Sequence, residues 1–89
     1  MKHTIAKLLM EVFGSEYVKV TDDSLSHAGH RGTTKVGDSH FSVIVVSPLF
    51  EGQSLVKRHQ WIYKELKVCF EEGLHALAID AKTPKEWSV

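Results

Sequence analysis

The hydrophobic period changes twice within residues 39–80, SHFSVIVVSPLFEGQSLVKRHQWIYKELKVCFEEGLHALAID, and no other feature constrains the fold as much. Residues 40–47 alternate, with Phe41, Val43 and Val45 set against His40, Ser42, Ile44 and Val46. A period of two marks a strand, and the apolar character of both sets predicts that it is central. Pro48 cannot donate to a ladder and ends it. From Ser54, an N-cap, to Gly73, a stop, the pattern is that of one long helix. Its buried stripe is predicted as Leu55, His59, Ile62, Leu66, Cys69 and Phe70, with Arg58, Trp61, Glu65 and Val68 on a second, outer face. Residues 74–81 alternate again, with His75, Leu77 and Ile79 on one side and Ala76, Ala78 and Asp80 on the other. Two strands joined through a helix suit a parallel crossover.

The flanking segments complete the pattern. Residues 3–13 carry Ile5, Leu8, Leu9, Val12 and Phe13 on one helical stripe, and Gly14 stops it. Residues 17–21 form a short strand with Val18 and Val20 on one side. Thr83 and Pro84 suit the cap and first position of a final helical turn. The expected fold is α+β, in the order α-β-β-α-β with a short C-terminal helical turn, and a three-stranded mixed sheet with both helices on one face. A chain of 89 residues makes one domain, residues 1–89, with a modest core.

Composition narrows the function classes. Eleven basic and eleven acidic residues give zero net charge, which argues against broad nonspecific binding to nucleic acid. One cysteine allows no internal disulfide and points to a reducing compartment. The N-terminus interrupts its apolar residues with Lys7 and Glu11 and makes a poor signal peptide, and no apolar run approaches the roughly 20 residues of a membrane span. A cytoplasmic location is expected. No paired-carboxylate motif, nucleophile elbow or phosphate loop supports an enzyme.

The chemistry-bearing residues are histidines. Residues 22–38 form a long loop with Gly29, Gly32 and Gly37, and it carries His27 and His30. These read either as solvated side chains or as ligands shared with another protein, because no set of four zinc ligands with cysteine is present. His75 reads as a partly exposed, singly hydrogen-bonded residue or as a metal ligand. His40 has the parity of Ser42 and reads as structural or as support for a ligand. His59 and Cys69 lie in phase with the buried stripe and read as packed. Lys57, Arg58, Lys64 and Lys67, with Trp61, form either a solvated face or a docking surface for protein or nucleic acid.

Three strings resemble one family: Ser39-His40-Phe41 with Val43, Val46 and Ser47; Phe50-x-Gly52-x-x-Leu55-Val56-x-Arg58-His59 with Tyr63; and His75-Ala76-Leu77 running to Thr83-Pro84-x-Glu86-Trp87. Together they resemble the BolA family over roughly residues 3–87. The resemblance implies a class II KH-like fold and partnership with a monothiol glutaredoxin, with a [2Fe–2S] cluster bridged between the glutaredoxin cysteine, glutathione and two ligands of the BolA-like chain. Those ligands map onto His75 and onto a loop residue, His30, with His27 as its rival. Some members are regarded as DNA-binding regulators, so duplex DNA is the alternative partner. Gly29-His30-Arg31-Gly32 matches the GxxG of RNA-binding KH domains, but it sits between strands rather than between helices.

Overall fold

The structure is a computed structural model that describes residues 1–14, 17–23 and 40–88. The elements follow the predicted order: α1 Lys2–Phe13, β1 Tyr17–Asp22, β2 His40–Val46, α2 Leu55–Glu65, α3 Lys67–Glu71, β3 Ala76–Lys82 and α4 Pro84–Trp87, with a 3-10 turn at Pro48–Phe50. The sheet order is β1-β2-β3. β1 runs antiparallel to β2 with Val20 opposite Val43, and β3 runs parallel to β2 with Ile79 opposite Val43. The sheet is therefore mixed, and β2 is central as its two-sided apolar character requires. No helix among the described residues is long and apolar enough to cross a membrane.

Both main helices pack on one face. Ile5, Leu9 and Phe13 of α1 meet Phe41, Val43 and Val45 of β2 and Ile62 of α2 in one core. Phe13, Phe50 and Trp61 form a ring cluster, with centroids 5.0 Å apart for Phe13–Phe50 and 4.8 Å for the edge-on Phe13–Trp61 pair. Gly14 ends α1 at φ 54°, a left-handed conformation that glycine adopts without steric cost. The C-terminal carbonyl of α1 is not left bare. The buried Ser47 hydroxyl donates to the Phe13 carbonyl at 2.8 Å and accepts from the Leu49 N–H, tying the helix end to the end of β2.

The crossover departs from expectation in two ways. The single long helix is broken at Leu66 (φ −98°, ψ 13°), without a glycine or proline to announce it, and Leu66 and Cys69 are both fully buried around the break. The buried stripe holds at Ile62, Leu66 and Cys69 but differs in the first turns of α2. Leu55 is 63% exposed, whereas Arg58, predicted on the outer face with Trp61, Glu65 and Val68, is 6% exposed. Trp61 likewise lies partly buried against the core rather than on a free surface. The physical reason is that Arg58 finds a complete set of acceptors inside. Its Nε donates to the Gln53 carbonyl (2.9 Å), and Nη1 donates to the Ala81 carbonyl (3.0 Å) and to Glu86 Oε1 (2.7 Å). A charged fork satisfied in this way can be buried where an unpaired one cannot.

The third strand starts two residues later than its alternation suggests, leaving Leu74 and His75 as its approach. The final turn forms as expected, with a capping box in which Thr83 accepts from the Glu86 N–H and Glu86 accepts from the Thr83 N–H. On the reverse side Trp87 stacks on Tyr17 at 5.1 Å.

Three variants test this packing. Phe41→Ala, at the fully packed sheet–helix junction, should lower the unfolding free energy by roughly 3–5 kcal/mol in urea titration. Arg58→Ala should cost roughly 1–3 kcal/mol through its lost bonds to the Gln53 and Ala81 carbonyls. Arg58 and the Thr83 N–H hold the Glu86 carboxyl down to about 2. A depressed folded-state value stabilises above the unfolded carboxylate range near 4.5 and is lost as pH falls toward 2. The stability gap between wild type and Glu86→Gln should thus be constant at neutral pH and close between about pH 4.5 and 2. A pH-independent gap would remove the pair from the account.

Candidate histidine site at the sheet end

Parallel pairing places His40, the first residue of β2, opposite Ala76, the first of β3. His75 immediately precedes Ala76, so the two imidazoles meet at one end of the sheet, with ring centroids 6.2 Å apart and planes 13° from parallel. His75 is exposed and His40 half-buried. β1 ends beside them. The Asp23 N–H donates to the His40 carbonyl at 2.7 Å, and the Ser42 hydroxyl donates to the Asp23 carboxylate. Residues 24–39, which contain His27 and His30, are therefore joined to the described fold at Asp23 and His40, beside His75. His27, His30 and the Gly29–Gly32 match themselves lie outside the described residues.

The donor set is limited. Among the described residues no group of three or more His, Cys, Asp or Glu side chains could hold a metal ion. Two nitrogen donors suit one side of a site completed by other groups. Cys69 is not among those groups: it is fully buried, and burial first, then the neighbouring Glu72, pushes its thiol pKa up. His59 is half-buried at the edge of a groove between α2 and β3.

The predicted basic surface is only partly present. Lys57, Lys64 and Lys67 are exposed. Arg58 is committed to the core, which removes it from that face, and Trp61 is half-buried with its ring against Phe13 and Phe50. The close approach of His40 to His75 has no signal within either strand's own sequence. Aligning the starts of two strands in a parallel pair was the one available signal for it. Tyr63, part of a family-like string, has a structural task here: its hydroxyl donates to the Leu77 carbonyl at 3.2 Å.

The chain matches the family model described as "BolA-like protein" over residues 9–86. It is 49% identical over 73 residues to "SufE-like protein 1, chloroplastic/mitochondrial" of Arabidopsis thaliana, covering 78% of this chain but 20% of that protein. It is 33% identical to the "DNA-binding transcriptional regulator BolA" of Escherichia coli, covering 98% of this chain and 79% of that one. Among solved structures, BolA1 from Arabidopsis thaliana superposes with a TM-score of 0.86 at 38% identity, over 97% of this chain and 94% of that one. A sheet of this order with helices on one face, a family match across most of the length and this structural likeness together show that the chain belongs to the BolA-like protein family.

Proposed function

We propose that the protein is a non-enzymatic adaptor that pairs with a monothiol glutaredoxin and shares a [2Fe–2S] cluster with it, in cluster assembly, trafficking or iron sensing. The observation that carries this reading is the exposed His75 ring 6.2 Å from His40, at the sheet end to which the His27- and His30-bearing segment is joined. Imidazole is a known ligand on one iron of such clusters. The exposed His75 fits that part, and thiolates must come from the glutaredoxin and from glutathione, since Cys69 is buried. In this reading His75 and His30 (His27 as rival) hold one iron, and His40 orients the His75 ring. The cluster, when bound, supplies one-electron redox chemistry. The chain's own residues ligate, orient and shield. With a single, buried cysteine, we assign the work to a reducing compartment, the cytoplasm.

Mixing the protein with a cluster-loaded monothiol glutaredoxin should change the cluster's visible absorption and circular dichroism. His75→Ala should abolish that change, and His30→Ala should weaken it more than His27→Ala. A spectrum that does not respond to the protein, or responds equally to His75→Ala, overturns the assignment.

A second reading, a DNA-binding transcriptional regulator, is favoured by the name of the Escherichia coli relative. On this chain it has Lys57, Lys64 and Lys67 to work with, but not Arg58. It predicts binding to duplex DNA that falls steeply with salt and weakens about uniformly across sequences in Lys57→Ala. Absence of binding at moderate salt ends it.

A further inference from the structure

The outer edge of β3 leaves one residue's backbone unclaimed inside a groove. The Ser47 N–H donates to the Lys82 carbonyl at 2.9 Å, so the even-numbered residues of β3 turn their backbone groups toward β2. Alternation turns those of Leu77, Ile79 and Ala81 outward. Side chains of α2 take two of the three outward carbonyls: Tyr63 bonds that of Leu77 and Arg58 that of Ala81. Ile79 lies midway, and no described residue bonds its outward N–H or C=O. It lines a groove of about 460 Å³ between β3 and the start of α2, with Leu55 and His59 across from it. That volume is in the range of ordinary binding sites, about 300–1,000 Å³. Leu55, 63% exposed on its rim, has no packing role that explains a large aliphatic residue there.

An adjacent donor and acceptor on an edge strand are complementary to one residue of another extended backbone. We infer that Ile79 receives a short extended segment of the protein partner that seats at the His40–His75 end, one residue of which exchanges both backbone hydrogen bonds with Ile79 while an aliphatic side chain lies on Leu55. This rests on the glutaredoxin pairing proposed above. Ile79 is about 13 Å along the strand from His75, so a protein covering His75 reaches it. Tyr63 and Arg58 occupy the outward carbonyls on either side of Ile79, which limits full pairing to about one residue of the added segment and its neighbours. Asp80 and Glu86 at the groove are each paired with a cation, Lys82 at 3.3 Å and Arg58 at 2.7 Å, so charge does not select the occupant. A phosphodiester linkage has acceptors but no donor to answer the Ile79 carbonyl, whereas a peptide unit supplies both.

The test reads the Ile79 amide directly. In the free protein it should exchange with solvent faster than the amides of Ala78 and Asp80, and addition of a monothiol glutaredoxin should slow it. Cys69 is the only cysteine, so residues 69–89 can be joined by ligation at Cys69 with an ester in place of the Ile79 amide, removing the N–H and keeping the side chain. The ester chain should bind the glutaredoxin about 3- to 10-fold more weakly, as should Leu55→Ser, while the cluster spectrum that depends on His75 is retained. Unchanged affinity in both variants, with His75→Ala still abolishing the spectrum, overturns the groove and leaves the cluster site standing. No glutaredoxin binding by the wild-type chain overturns both. Protection of the Ile79 amide by a single-stranded oligonucleotide instead of the glutaredoxin also overturns the inference.

Discussion

The parallel pairing of β2 with β3 is the constraint on which the rest of the structure depends. A parallel pair cannot be closed by a tight turn, so the chain between Ser47 and His75 must cross over, and a helical crossover covers one face of the sheet. That face carries Phe41, Val43, Val45 and Leu77, and it receives α1 as well. The same register sets His40 opposite Ala76 and so brings His75 to its side. It also fixes which backbone groups of β3 are used in the ladder and which face outward. The core, the histidine pair and the edge groove all follow from one alignment of two strands.

Arg58 ties the parts of this arrangement together. From α2 it reaches the loop before the helix, the outer edge of β3 and the C-terminal turn through four donor contacts, and its guanidinium lies 5.8 Å from the centre of the Phe50 ring. Glu86 answers it while closing the capping box of α4, so one carboxylate fixes both the turn and the helix. A lysine at position 58 could not replace this set, because a point charge cannot serve divergent acceptors as a planar fork does. Leu55, three residues earlier, is left outside.

Much of the fold was legible because it rests on period. The alternation of residues 40–47, the stripe of Ile5, Leu9 and Phe13, the stops at Gly14 and Gly73 and the Thr83-Pro84 start of the last turn are local signals, and each marks its element in the structure. The predicted stripe holds at Ile62, Leu66 and Cys69, and it departs only in the first turns of α2, where Arg58 is buried and Leu55 exposed. Whether an arginine is buried depends on acceptors far off in the chain, here Ala81 and Glu86, and no window along α2 contains them. The break at Leu66 has no local signal either.

By itself the sequence determined the element order, the central strand, the packed Cys69 and the candidacy of His75, because periodicity, caps and short strings act over a few residues. Only the tertiary structure decided that His40 stands beside His75, that Arg58 lies inside and Leu55 outside, and that the outward carbonyls of Leu77 and Ala81 are taken by side chains of α2 while that of Ile79 between them has no partner among the described residues. Each of these depends on strand register and helix rotation. Those are set by which distant groups can satisfy one another, and that information is not carried by any single segment of the chain.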